Sequence, residues 1–184
     1  MTGRATGLPD PLTPADCDLR DFPRMSLDIP RLFSSRFNAT ATREPLAWMI
    51  GLKLWCRSWH QVPSASLPAD DDELCYLAEL GFDTASFAKV RGLAMHGWVL
   101  ANDGRLYHPV IAEMALAAWL EKLSQQISSG SGNAKRWGTL FDPRPLEAAI
   151  ESSVDMLRAL NPKAAAIVRA SRRASQRNAT GSKK

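Results

Sequence analysis

No run of about 18 apolar residues occurs anywhere in the sequence, so no segment is expected to span a bilayer. The opening residues, MTGRATGLPDPLTPADCD, lack the charged start and apolar stretch of a secretory signal, and a soluble cytoplasmic protein without membrane contact is expected. Cysteine is scarce. Cys17, Cys56 and Cys75 are an odd number with no C-x-x-C pair, which suits reduced thiols better than a disulfide framework. Also missing are the phosphate-cradling G-x-x-x-x-G-K-[ST] loop, the G-x-S-x-G elbow and the H-E-x-x-H helix, so neither an enzyme nor a cofactor is expected. Cys56 and His60, four residues apart, could share a helical face. Zinc sites bring close ligand pairs from two loops, however, so no metal site is expected either.

Acid is absent from the C-terminal end. Residues 163–184 hold seven basic side chains (Lys163, Arg169, Arg172, Arg173, Arg177, Lys183, Lys184) and no acidic one. The first 162 residues carry 16 basic and 19 acidic groups, so the net +4 divides into a body of −3 and a tail of +7. A polyanion partner, nucleic acid above all, is therefore expected to favour the tail.

What is present is a helical pattern interrupted once by alternation. With 184 residues and 45% apolar content, the chain is expected to fold as one domain with appendages. Residues 1–20, rich in Pro, Asp, Thr and Gly, read as a disordered leader, and DFPRMSLDIPRLFSS reads as an extended arm ending in a turn of helix. Thr42-Arg43-Glu44-Pro45 offers a cap and first turn for a helix to about His60. Along it Trp48, Leu52, Trp55 and Trp59 recur at helical spacing, a pattern of core packing. VPSASLP reads as a Pro-bounded turn, and DDDE at 70–73 places acids at the start of a second helix, where its dipole favours them. Gly81 is expected to end that helix. Asp83 or Thr84 starts a third, with Phe87, Val90 and Ala94 inward and Lys89 outward.

The period then switches. Trp98-Val99-Leu100, the turn Ala101-Asn102-Asp103-Gly104 and Arg105-Leu106-Tyr107 predict a β-hairpin, after which Pro109 opens a helix to about Gln126. Three helices, a hairpin and a closing helix make a mainly α, winged-helix-like layout for 21–127. Residues 128–142, with Ser, Gly, Lys135, Arg136 and Trp137, are expected as a flexible linker. An amphipathic helix follows over 143–161, its stripe at 146–160 a candidate surface for a protein partner, and the basic tail occupies 162–184.

Four segments, DFPRMSLDIPRLFSS, LKLWCRSWHQVPSASLPADDDEL, KVRGLAMHGWV and NDGRLYHPVIAE, resemble the YdaU-like prophage proteins, a family built on a domain of unknown function. The resemblance covers residues 21–123. It implies a small winged-helix-like domain from prophage regions concerned with DNA replication or transcription regulation, with no catalytic residues. Trp59, His60, Gln61, Asp103, Gly104, Arg105, Tyr107 and His108 are the matching positions, and most read as helix-end and hairpin architecture. Residues 44–127 hold six basic against ten acidic groups, a net −4 that sets the domain against direct DNA contact. The nucleic-acid contacts expected are Lys89, Arg91 and Arg105 in the domain, Lys135 and Arg136 in the linker, and Arg169, Arg172, Arg173 and Arg177 in the tail. The alternative is an adaptor that docks on a replication or regulatory protein through 146–160 and does not touch DNA.

Overall fold

The computed structural model describes residues 7–41 and 43–181. It is mainly helical with one small antiparallel sheet, and it divides into two compact units, residues 1–115 and 116–184.

The first unit is assembled around one amphipathic helix. Asp28 ends the extended arm and caps α1 (Ile29–Phe33), accepting from the Arg31 backbone N at 3.0 Å; α2 (Arg36–Ala41) follows. Helix α3 (Pro45–Trp59) has its proline in the first turn, where a missing N–H costs nothing. Thr42, expected as its cap, lies outside the described residues; Glu44 stands at the cap position and makes no side-chain capping bond. The buried face of α3 is Ala47, Ile50, Gly51, Leu54, Trp55, Ser58 and Trp59. Trp55 and Trp59 thus lie in the core, whereas Trp48 and Leu52 stand half-buried at its margin. Small residues explain the rotation. A Cβ on Gly51 would lie 2.7 Å from the Phe37 ring and 3.0 Å from the Ala94 carbonyl, so the glycine lets two other helices approach α3. Gly51→Ala is expected to cost about 1–3 kcal/mol by overpacking, read as a lower urea midpoint; an unchanged midpoint would contradict so close an approach.

Residues 62–68, expected as a turn, contain a strand. β1 (Ser66–Pro68) precedes α4 (Asp71–Leu77) and α5 (Thr84–Ala94), and the hairpin β2 (Val99–Leu100) and β3 (Arg105–Tyr107) completes the sheet. Both hairpin strands end close to the predicted turn, where Gly104 takes φ +80°. The sheet order is β1-β3-β2, with Ser66 opposite Tyr107 and Val99 opposite Tyr107 on the other side. Pro68 is accommodated because β1 is an edge strand. Asp70 caps α4 through the backbone N atoms of Asp72 and Glu73, both at 3.0 Å, and Asp83 caps α5 through that of Ser86. Helix α4 ends at Leu77, earlier than Gly81 predicts; Glu79, at φ +63°, makes the first left-handed step.

The leader expected to be disordered is packed over its described part. Thr13 Oγ1 donates to the Ser64 carbonyl at 2.7 Å, the Ser64 N donates to the Cys17 carbonyl at 2.7 Å, and the Asn102 N donates to the Pro9 carbonyl at 2.9 Å. Cys17 and Leu19 are fully buried. Irregular backbone bonded to distant loops satisfies its polar groups without any periodic signature in sequence.

Helix α6 (Pro109–Trp137) overturns the expected end near Gln126 and the expected linker from 128: one helix runs 29 residues through ISSGSGNAKRW. Each glycine inside it costs about 1 kcal/mol of propensity; Gly130 lies directly against the Phe141 ring with no room for a Cβ, whereas Gly132 faces open space. Gly138, at φ +64°, ends the helix. The second unit continues with α7 (Arg144–Leu160) and α8 (Ala165–Gly181), so much of the basic tail is helix. Among the described residues no helix is long and apolar enough to cross a membrane.

Candidate nucleic-acid interface

The charge of the chain divides at the same place as its fold. Residues 1–115 hold 11 basic and 14 acidic groups, a net −3, and residues 116–184 hold 12 basic and 5 acidic, a net +7. A polyanion therefore meets opposite fields on the two units.

In the first unit the expected contacts are scattered and largely engaged. Lys89 is exposed on α5, but it stands close enough to Asp83 to help hold that carboxyl below its ordinary range, after the larger effect of the Ser86 hydrogen bonds. Arg91 is bound to Asp71, its Nε lying 2.8 and 3.0 Å from the two carboxylate oxygens. Arg105 turns inward: its Nε donates to Ser66 Oγ at 2.8 Å and its Nη2 to Gln61 Oε1 at 3.2 Å, tying β3 to β1 and to the end of α3. Lys53 and Arg57 both pair with Glu79, and Arg31 pairs with Glu113. Trp59, His60 and Tyr107 behave likewise. Trp59 Nε1 donates to the Phe22 carbonyl at 3.1 Å, His60 Nε2 lies 2.9 Å from the same oxygen, and the Tyr107 hydroxyl donates to Asp103 at 2.7 Å. Their polar atoms hold the arm and the hairpin in place.

The second unit presents its cations differently. On α8, Ala166 and Ala170 are buried; Arg172 is exposed on the far side, while Arg169, also exposed, stands beside Ala166, Ala170 and Glu121 at the rim of a shallow groove against α6. Lys163 is exposed just before the helix. Arg173 leans back onto Glu121 of α6 at 3.4 Å, and the side chain of Arg177, like Lys183 and Lys184, lies outside what is described. Lys135 and Arg136 occupy the last turn of α6, where the negative end of the helix dipole favours them, with the Arg136 guanidinium 5.0 Å from the centre of the Trp137 ring. The α7 stripe expected to serve a partner is partly covered, with Leu146, Val154 and Leu160 half-buried. Ser153 and Leu157 are fully buried and Ile150 nearly so, because α8 packs along α7. The sequence could not show this, since the helix that covers part of the stripe lies within the stretch read as a tail.

No protein-family model, curated protein or solved structure matches this chain. Its chemistry is therefore read from its own side chains.

One further concave feature belongs to the first unit. A cavity of about 260 Å³ is walled by Leu32, Phe37, Trp55, Met114, His96 and His108. It brings two histidines together and none of the three cysteines, and among the described residues no three His, Cys, Asp or Glu side chains form a metal-binding group. His108 is 6% exposed, wedged between the rings of Trp55 at 4.9 Å and Trp98 at 5.4 Å. Burial pushes its imidazole down to about 4 against the opposing pull of the His96 backbone, and its Nδ1 has no hydrogen-bond partner. A neutral ring held so tightly is suited to packing. Cys56 and Cys75 are likewise poor nucleophiles, because burial raises both thiols above their ordinary value.

Proposed function

We propose that this chain is a winged-helix-like protein of the YdaU-like prophage kind, that it serves phage-derived replication or gene regulation by binding and not by catalysis, and that its second unit supplies the hold on duplex DNA. The winged-helix reading draws support from the order α3-β1-α4-α5-β2-β3, in which the helix before the hairpin is the one such folds offer to a groove. Layout alone does not carry function.

The single observation that carries the reading is the segregation of charge: −3 on the first unit, +7 on the second, with Arg169 and Arg172 both exposed on α8. Their attraction to phosphates is independent of base sequence. The first unit, its Lys89 flanked by Asp83 and its Arg91 and Arg105 already bound, adds little phosphate contact of its own. Titration of a labelled duplex with the full chain across a range of salt tests the proposal. Steep weakening with salt is expected; absent or salt-independent binding overturns it.

A further inference from the structure

Trp137 is 68% exposed, and it ends a helix instead of lying in a linker. Five of the six tryptophans of the chain are buried or half-buried; this one is not. Its indole contributes little to any core, and the residue after Gly138 and Thr139, Leu140, is fully exposed as well. Lys135 and Arg136 precede it on the same turn, both exposed, and Arg136 lies against the ring. An open aromatic face flanked by cations, in a unit of net +7, is complementary to a ligand that combines negative charge with flat unsaturated rings. Single-stranded nucleic acid has both, because unpaired bases expose their faces while duplex bases are stacked on one another.

We infer that the C-terminal end of α6 is a base-stacking platform for single-stranded nucleic acid, in which Trp137 receives an unpaired base and Lys135 and Arg136 hold the adjoining phosphates. The inference rests on the proposed association of the second unit with nucleic acid and adds a substrate class to it. A protein with duplex attraction on α8 and single-strand stacking at the end of α6 fits a junction where duplex and unpaired strand meet.

The test uses the full chain with a short oligothymidylate and a duplex of the same length, read by fluorescence anisotropy at one salt concentration. Trp137→Leu is expected to weaken single-strand binding between about fivefold and a hundredfold, Trp137→Phe to retain most of it, and both to leave duplex binding within about twofold. The site is overturned if Trp137→Leu leaves the oligothymidylate affinity unchanged. Equal losses in the Phe and Leu variants, or equal losses on duplex and single strand, also overturn it, because neither fits stacking. Binding of anionic vesicles that Trp137→Leu removes, with no effect on the oligothymidylate, would assign the side chain to a lipid surface instead. An Arg169→Glu/Arg172→Glu variant separates the two proposals: if it weakens duplex binding while Trp137→Leu does nothing, the attachment through α8 stands and the stacking site falls.

Discussion

A fourfold rise in salt, from 50 to 200 mM, is expected to lower the affinity of this protein for duplex DNA by about three orders of magnitude. Lys135, Arg136, Lys163, Arg169 and Arg172 are exposed cations of the second unit, and Arg177, Lys183 and Lys184 add to them in sequence. With about five to seven phosphates neutralised, log affinity falls against log salt with a slope of roughly −5 to −6, since each contact releases close to one condensed counterion. The ion pairs of the first unit give no comparable response. Arg91 is paired with Asp71, and Glu79 offsets one of the two charges of Lys53 and Arg57, so these groups have little charge left for phosphates. A slope shallower than about −2 would mean that no more than two phosphates are held, too few for α8 and the end of α6 together.

The second large effect is on stability and comes from His108. Its folded value of about 4 lies below the ordinary 6.5 of an unfolded histidine. The unfolded chain therefore takes up a proton that the folded chain refuses as pH falls from 6.5 towards 4, and the fold is progressively disfavoured over that window. Above 6.5 there is no penalty; below 4 it is complete, at about 3 kcal/mol for a difference of this size. Among the groups that act on the ring, Arg31 and His96 push in the same direction through their charge, while the His96 backbone opposes them. Carboxylates held low by their partners, such as Glu79 beside Lys53 and Arg57 and Asp83 at the α5 cap, lose their contribution at lower pH, as each nears its own protonation. His108→Leu should therefore remove most of the decline in urea midpoint between pH 7 and 5 and leave the steeper acid limb unchanged. A variant that declines in parallel with the parent protein would show that the imidazole is protonated in the folded state.

Much of the first unit was legible in its sequence because its elements carry local signals. The acid run at 70–73 places a cap and first turn, Phe87, Val90 and Ala94 mark the inward side of α5, and Asn102-Asp103-Gly104 marks the hairpin turn. What escaped was decided by distant contacts. The strand β1 exists because Leu67 and Ser66 pair with β3 some forty residues later, and the leader is fixed by bonds to residues 64 and 102. Helix α2, whose Phe37 enters the core against Trp55, gave no signal that distinguishes it from a loop. The Ser/Gly stretch at 128–133 has the composition of a linker, and the packing of the Phe141 ring against Gly130 within the helix has no local signature in sequence.

The candidate site was legible as charge and not as geometry. Counting residues located the basic end of the chain, yet the same count could not tell that Arg105 is spent on Ser66 and Gln61, or that Arg173 leans onto Glu121. Nor could it show that Ile150 and Leu157 of the α7 stripe are buried while Leu146, Val154 and Leu160 stay half-buried. Trp137 stood out in neither composition nor periodicity, because exposure is a property of the fold.

The central claim, that α8 and not α5 holds the nucleic acid, is tested most directly by two charge reversals measured side by side on one labelled duplex at low salt. Arg169→Glu/Arg172→Glu should lower affinity by at least about thirtyfold, since two phosphate contacts become two repulsions, whereas Lys89→Glu should change it by less than about threefold. The opposite ranking, with Lys89→Glu the more damaging, would place the contact on the first unit and contradict the account.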